Sequence, residues 1–421
     1  MRALVVAVFA GACAHTSLPP SLVVDAPVTQ PPDQERHYTV WLGGARVGSI
    51  VERERWSHAG VVLERTETMR FLRGDSLVTL VTTIKVVADT ALVPSRITWS
   101  ELGPANRQAE AIHDARGWHI DGHARAELPR ADLPRADLPA DAVPSELVPL
   151  ITRRDGRFAG RVFLVARGFL VGTGRIEPAA PGRLVARLSF GPSVAEATID
   201  VDDDGSYARI IDGEGVIARR TTAAQATEAF EPVDLIAATS IPIGGHGSRL
   251  VIDGDIALPP VPGQVAHPLS DGIEIALSPR LPGALPDEEH GSDRGPEIRA
   301  LVAAVRSSIV PDLAAGPTTA TQAASATAGD CTTFALAYAA HAAKRAIPTR
   351  VVTGLRVDGD RLIRHRWAVS WTGSAWIAVD AAFGAAPAGG DLIGLALHDA
   401  DDAGLVAGEA ALTMVRSATR R

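Results

Sequence analysis

The sequence predicts an α+β protein in two parts: an N-terminal part of mainly antiparallel strands and a C-terminal part that combines helices with strands. Three observations support this prediction. Apolar and polar residues alternate along much of residues 36–217, which is the period of half-buried strands. A passage rich in proline, glycine and acidic residues follows at 258–295. Beyond it come two segments of helical composition and then further alternating runs.

Length and charge limit the possible functions. The chain has 421 residues, 46% of them hydrophobic, which is enough to form two or three folded domains. Its formal net charge of -8 provides no basic surface for nucleic acid and argues against electrostatic docking on a membrane. We therefore expect no nucleic-acid partner.

The first residues are typical of an export signal. Arg2 precedes the apolar run ALVVAVFA at 3–10, and two small residues separate that run from Cys13. The order AGAC resembles a bacterial lipoprotein signal, which implies a signal peptide at 1–12 and a lipid attached to Cys13. A plain secretory signal and an apolar start without signal function are the alternatives. The lipoprotein hypothesis predicts an exported protein of the cell envelope, in the periplasm or at the outer membrane, held to the membrane only by the lipid anchor at Cys13.

The predicted organisation after the signal has four parts. Residues 13–35 are rich in proline, serine and threonine and predict a tether. Strand patterns then begin, with Gly43-Gly44 predicting the first turn, and we predict a β-rich domain at 36–260 that is one domain or two related layers. A linker is predicted at 261–295, and the C-terminal domain at 296–421.

Two motifs of the β-rich domain predict structure rather than chemistry. The tandem RADLP repeat within 126–140 predicts a surface loop, because its prolines exclude a helix interior or a central strand. Asp200, Asp202 and Asp204 have the spacing of a calcium loop, but Ile211 occupies the position of the closing glutamate. We therefore interpret IDVDDDGSY as a hairpin with an Asp-Gly turn.

Cys331 is the first candidate for catalysis. It begins a helix-forming segment that ends before Ile347-Pro348, and Asp330 is suited to cap that helix. The partial positive charge of a helix N-terminus favours a thiolate over a thiol, which is the nucleophilic form. For Cys331 alone, a small buried hydrophobic residue is an equally open interpretation. Because Cys13 is the only other cysteine, we do not expect a structural disulfide.

His365 and Asp380 are predicted to meet across a β-hairpin. Two alternating runs flank Thr372-Gly373, and a turn centred there places His365 directly opposite Asp380. Opposed side chains have Cβ atoms roughly 4.5–5.5 Å apart, close enough for a carboxylate to accept a hydrogen bond from an imidazole. Such a bond would orient the ring and favour its protonated form. A structural strand histidine is the alternative for His365 by itself.

Together these motifs resemble the transglutaminase-like superfamily of papain-type thiol enzymes. The resemblance is carried, in order, by GDCTTFALAYAAHAAKRAIPTRVVTG, HRWAVSW and WIAVDAAFG. It implies a papain-type α+β fold for the C-terminal domain. It also implies a catalytic triad with Cys331 as nucleophile, His365 as general base and acid, and Asp380 as the orienting group. The implied reaction is acyl transfer through a thioester, with a protein or peptide as substrate.

The resemblance predicts a cysteine hydrolase or protease that acts on peptide or isopeptide amides. The alternatives are a protein-crosslinking transglutaminase, in which an amine accepts the acyl group, and an envelope binding module without catalysis. The backbone amide of Cys331 is the natural oxyanion donor, and Gln322 is a candidate for the second donor. The 12 histidines show no metal-ligand spacing and no phosphate loop is present, so we expect no metal and no cofactor.

Overall fold

The structure is a computed structural model that describes residues 32–103, 106–121, 138–165, 169–190, 193–212, 215–254, 256–313 and 320–421. The predicted signal peptide, Cys13, nearly all of the tether and most of the RADLP repeat lie outside the described residues. Within the described part of the chain, no helix combines the length and apolarity needed to cross a membrane.

The N-terminal part is one sheet made of two meanders, and it is antiparallel except where β8 pairs with β9 in parallel. The strands of the first are β1 (Gln34–Leu42), β2 (Ala45–Ser57), β3 (Gly60–Arg73), β4 (Ser76–Ala88), β5 (Pro94–Leu102), β6 (Arg107–Asp114) and β7 (Gly117–Asp121). The strands of the second are β8 (Val143–Pro144), β9 (Phe158–Leu164), β10 (Leu170–Ala180), β11 (Arg183–Phe190), β12 (Ser193–Val201), β13 (Tyr207–Asp212) and β14 (Val216–Thr221). Pairing of β1 with β14 joins the meanders, giving fourteen strands in the described residues.

Local sequence explains the turns of this sheet. Gly43 and Gly44 form the predicted turn between β1 and β2, with φ angles of 58° and 82° that glycine adopts without a steric penalty. The predicted hairpin at IDVDDDGSY is confirmed as β12 and β13. Asp200, the first aspartate of that motif, is paired with the guanidinium groups of Arg183 and Arg209.

The two meanders share a core that includes a buried ionic cluster. A 3-10 turn at Ser145–Leu147 and helix α1 (Val148–Asp155) lie between β8 and β9 in sequence. Arg153 on α1 donates two hydrogen bonds to Glu54, of 3.0 and 2.6 Å, and Arg36 also contacts this carboxylate. Glu52 supplies a second carboxylate, 3.2 Å from Nη1 of Arg36, so two carboxylates balance two guanidinium groups, and only 1% of the Glu54 side chain is exposed.

The second sheet combines strands from before and after the predicted linker. It contains β15 (Ile241–Gly245), β16 (Leu250–Gly254), β17 (Gln264–Leu269), β18 (Gly272–Leu277), β21 (Thr349–Asp358), β22 (Arg361–Trp371), β23 (Trp376–Val379), β24 (Leu392–His398) and β25 (Val415–Arg420). Its order is β17-β18-β16-β25-β15-β22-β21-β24, with β23 paired to β22. A separate short pair joins β19 (Val310–Pro311) to β20 (Ala328–Gly329).

This topology corrects the predicted domain boundaries. The predicted linker at 261–295 contains β17 and β18, and its one long stretch without regular structure is 278–294. The last strands assigned to the β-rich domain at 36–260 also belong to the second sheet. The division between the sheets falls at 222–240, which holds helices α2 (Ala223–Thr227) and α3 (Leu235–Thr239). Proline and glycine in the predicted linker mark turns between short strands, which local composition does not distinguish from a linker.

Helices of the C-terminal part pack on the second sheet. They are α4 (Gly295–Ser308), α5 (Ala320–Ala323), α6 (Cys331–Ala343) and α7 (Asp402–Leu412). Leu301 of α4, Phe334 and Tyr338 of α6 and Ala368 of β22 share one buried cluster. Strands nevertheless predominate in the described residues, so the protein is mainly β and has more strand than the predicted α+β class suggests.

Candidate active site

Cys331 lies at the N-terminus of α6, as predicted, and is partly exposed. The Asp330 carboxylate accepts hydrogen bonds from the amides of Thr332, at 3.0 Å, and Thr333, at 3.3 Å, which confirms the predicted cap. Gly329 allows this tight start, since a Cβ there would lie 2.2 Å from the Thr333 hydroxyl oxygen. Local sequence therefore places the sulfur at the positive end of a buried helix.

His365 and Asp380 are in direct contact. The Nε2 atom of His365 lies 2.7 Å from Oδ2 of Asp380, and only 5% of each side chain is exposed. The bond assigns the ring hydrogen to Nε2, because an ionised carboxylate can only accept. The opposite nitrogen, Nδ1, is left free of this bond.

The predicted hairpin register is wrong by two residues. Trp371 pairs with Trp376, so the turn is centred on Gly373 and Ser374 rather than one residue earlier. His365 is therefore diagonal to Asp380 rather than directly opposite. The contact survives because an even shift keeps both side chains on the same face of the sheet, and diagonal neighbours remain within reach of long side chains.

A short loop holds the Asp380 carboxylate in place. Its Oδ1 atom accepts hydrogen bonds from the amides of Ala382, at 3.1 Å, and Phe383, at 3.4 Å. The backbone of Asp380 also exchanges two hydrogen bonds with Ala385. One carboxylate oxygen thus anchors the loop while the other receives the imidazole.

The environment of His365 favours the imidazolium. Burial opposes the charge, but the hydrogen bonds from His365 to Asp380 and Cys331 and the negative charges of these partners outweigh it. They raise the pKa of His365 to about 10. The structure therefore places His365 in direct contact with Asp380, and Cys331 is close enough for its charge to raise the pKa of the same ring.

A buried polar network on α6 and the second sheet was not predicted. Arg366 donates from Nε to the Thr353 hydroxyl, at 2.8 Å, and from Nη1 to the Thr332 hydroxyl in the first turn of α6, at 2.9 Å. The same Thr353 oxygen lies 2.9 Å from Nε2 of His398. Burial, and then the charge of Arg366, lower the pKa of His398 to about 4, despite a bond to the backbone of Asp399. His398 is therefore neutral at ordinary pH, so its Nε2 atom can accept a hydrogen bond from the hydroxyl of Thr353.

Aromatic rings surround the imidazole of His365. Trp367, on the same strand face, stacks on it with centroids 6.0 Å apart, and Phe383 meets it edge-on at 5.5 Å. Arg356 lies over the Phe383 ring, 3.6 Å from the centroid. Phe383 is nonetheless 58% exposed. The alternation of β22 indicated the position of Trp367, but no sequence signal indicated that of Phe383.

Gln322 is the remaining candidate residue for the site. Gln322, the possible second oxyanion donor, lies on α5, which packs against α6, and its backbone carbonyl accepts a bond from Ser325. In the described residues, no group of three or more His, Cys, Asp and Glu side chains could hold a metal ion.

Comparisons with known proteins agree with this site. Residues 288–381 match the family model of the transglutaminase-like superfamily. No curated protein matches the chain. Among solved structures, the chain is similar to a β-barrel-like protein with a domain of unknown function from Brucella abortus, at 9% identity and a TM-score of 0.35, covering 45% of this chain and 96% of that one.

Two further solved structures are similar at the same low level. One is a protein of an uncharacterised family from Pseudomonas aeruginosa, at 15% identity and a TM-score of 0.27, covering 45% of this chain and 95% of that one. The other, described as a "putative cysteine protease" from Cytophaga hutchinsonii, has 12% identity and a TM-score of 0.23. The match covers 40% of this chain and 81% of that one. These scores are too low to support an argument about fold. The family match does not depend on them: the region with Cys331, His365 and Asp380 belongs to the transglutaminase-like superfamily.

Proposed function

We propose that the C-terminal domain is a cysteine hydrolase that cleaves peptide or isopeptide amides through a thioester. One observation carries the proposal: the buried imidazole of His365 holds Asp380 on one side, at 2.7 Å, and the charge of Cys331, at a helix N-terminus, acts on the same ring. Nucleophile, base and orienting carboxylate in this order are the requirements for thiol catalysis.

The proposed reaction has two steps. The Cys331 thiolate attacks the amide carbonyl carbon, and the backbone amide of Cys331 donates to the oxyanion that forms. His365 then gives its Nδ1 proton to the leaving nitrogen, and the C–N bond breaks to leave a thioester. In the second step Nδ1 takes a proton from water, the resulting hydroxide attacks the thioester, and the carboxylic acid leaves as the sulfur regains the electron pair. Asp380 keeps Nε2 protonated throughout.

The substrate class is proposed from the surroundings of the imidazole. Phe383 exposes more than half of its surface 5.5 Å from the His365 ring, centroid to centroid. A group bound at Cys331 for attack lies near that ring. We therefore propose that an apolar side chain beside the cleaved amide packs on Phe383, which suits a peptide or protein substrate.

Thiol labelling tests the catalytic proposal. The full chain is treated with iodoacetamide near pH 7, and peptide mapping by mass spectrometry distinguishes adducts of Cys331 from those of Cys13. Cys331→Ala should lose the adduct at position 331. In His365→Ala, Cys331 should be labelled much more slowly than in the wild type. Equal labelling rates at Cys331 in wild type and His365→Ala would refute the role of the imidazole.

A second assay separates hydrolysis from crosslinking. A glutamine-containing peptide is incubated with the protein, with and without a labelled primary amine, and released ammonia and incorporated label are measured. Ammonia release with little incorporation supports the hydrolase. Stoichiometric incorporation of the amine would instead identify a transglutaminase, because both reactions share the thioester and differ in whether water is excluded.

We also propose that the protein is exported and anchored through a lipid on Cys13. The apolar run at 3–10 followed by AGAC supports this proposal. Expression in a bacterial host with labelled palmitate should label the wild type and not Cys13→Ser. A mature wild-type protein that still begins at Met1 and lacks the label would overturn it.

A further inference from the structure

The N-terminal sheet reaches the start of the cysteine helix through one side chain. Arg73 ends β3 and lies at the turn into β4. Its Nη2 atom is 3.1 Å from Oδ2 of Asp330, the residue that caps α6 directly before Cys331. Its Nη1 atom donates to the backbone oxygen of Leu313 at 2.7 Å. One guanidinium thus spans two segments of the C-terminal part.

Backbone contacts hold the hairpin in this position. The amide of Leu72 donates to the carbonyl oxygen of Val233, at 2.8 Å, and Leu72 forms a parallel bridge with Asp234. Asp234 in turn caps α3 by accepting from the amide of Ile236. The residue before Arg73 is therefore fixed by the connection between the two sheets, so that the guanidinium is aimed at Asp330 by the fold.

The two oxygens of Asp330 have different partners. Oδ1 caps the amides of Thr332 and Thr333, and Oδ2 faces Arg73. Only 9% of the Asp330 side chain is exposed, against 25% for Arg73. A carboxylate beside Cys331 disfavours a thiolate, because like charges repel. Arg73 offsets that charge and holds the carboxylate in the orientation that caps the helix.

We propose that Arg73 is a positioning residue for Cys331, so that the N-terminal β part completes the reactive site of the C-terminal part. The inference rests on the proposed thiol chemistry. It assigns the β part a role at the reaction centre that the superfamily region at 288–381 does not supply by itself.

The test compares three variants of the full chain. Arg73→Ala removes both contacts. Arg73→Lys keeps a positive charge near Asp330 but cannot span to Leu313 as well. Arg70→Ala removes the same charge from an exposed position on the same strand and serves as the matched control. Alkylation of Cys331 by iodoacetamide is followed from pH 5 to 9, and hydrogen exchange is measured at the first turn of α6.

Arg73→Ala should slow alkylation at pH 7 by about three- to tenfold, which is the range for losing a partly buried charge at a helix start. The alkylation rate of Arg73→Ala should begin to rise at a higher pH than the rate of the wild type. The backbone amides of Thr332 and Thr333 should exchange hydrogen faster than in the wild type. Arg73→Lys should fall between, and Arg70→Ala should match the wild type. If Arg73→Ala also matches the wild type in both readouts, the positioning role is wrong. If wild-type Cys331 is no more reactive than a simple thiol, the proposed function fails and this inference fails with it.

Discussion

Replacement of Asp380 by asparagine tests the electrostatics of the site at one atom. Asparagine can keep its carbonyl oxygen on the amides of Ala382 and Phe383, where Oδ1 of Asp380 now accepts. Its NH2 group then takes the place of Oδ2 and donates to Nε2 of His365. The ring hydrogen moves to Nδ1, so the neutral imidazole can no longer accept a proton from Cys331.

The magnitude follows from the pKa of His365. The difference between about 10 and the ordinary 6.5 corresponds to roughly 5 kcal/mol of preference for the imidazolium, and Asp380 is the strongest favourable partner. Losing about half of that preference lowers the population of the imidazolium–thiolate pair by roughly 30- to 150-fold. A cysteine of ordinary acidity is about 3% ionised at pH 7, which limits the fall in alkylation rate to roughly 30-fold.

The assay is the rate of iodoacetamide alkylation of Cys331 between pH 5 and 9, with the adduct located by peptide mapping. We expect the wild-type rate to exceed the rate of Asp380→Asn most clearly at pH 6 to 7. In Asp380→Asn the rate should climb about tenfold per pH unit up to about pH 8. Asp253→Asn, which neutralises a half-exposed carboxylate on β16 paired with Arg416, is the control. Superimposable profiles for wild type and Asp380→Asn would refute the reasoning.

Three further predictions concern stability and the substrate. The pKa of His365 is raised to about 10, so the stabilisation by its charged form is full below about pH 6.5 and disappears as the pH rises through about 10. The difference in thermal stability between wild type and His365→Gln should therefore shrink over that range. Glu54→Gln leaves two guanidinium groups without their shared carboxylate and should lower the free energy of unfolding by about 3–5 kcal/mol in urea titrations. Burial opposes the charge of Glu54, but its arginine partners lower its pKa below 4.5, so this stabilisation is present above about pH 4.5 and is lost as the pH falls further. Phe383→Ala should reduce the preference of Cys331 for N-phenyl chloroacetamide over chloroacetamide by about tenfold.

Each of these predictions has a control elsewhere in the chain. His119→Gln, which changes an exposed histidine on β7, is the control for His365→Gln. Glu196→Gln breaks an exposed pair and should change the free energy of unfolding by less than about 0.5 kcal/mol, so a similar small effect of Glu54→Gln would contradict a stabilising buried cluster. Met414→Ala removes a comparably exposed apolar side chain, and an unchanged reagent preference in Phe383→Ala would exclude the ring as a contact.

The start of the cysteine helix could be predicted because its causes are local. The Asp330 carboxylate reaches the amides of residues two and three positions later, which depends on the short sequence GDCTT alone. The end of the helix, at Ala343, lies before the predicted Ile347-Pro348 for the same kind of reason. The turn at Gly43 and Gly44 is equally local.

The hairpin register could not be predicted from the hairpin itself. The carbonyl oxygen of Gly373 accepts a bond from the amide of Gly291, and that of Thr372 accepts from the amide of Arg294. These partners precede α4 and select which residues form the turn. Alternation predicted the shared face of His365 and Asp380, which depends only on odd and even positions, but not the pairing, which depends on distant contacts.

The sequence alone determined where α6 starts, that Gly43 and Gly44 form a turn, and which face of a strand carries the imidazole of His365, since each depends on a few neighbouring residues. Only the tertiary structure decided that β15 to β18 complete the C-terminal sheet, that Arg366 supports the first turn of α6 and that Arg73 faces Asp330. Those contacts join segments far apart in the chain. Their partners are chosen by how the whole core packs, which no local pattern records.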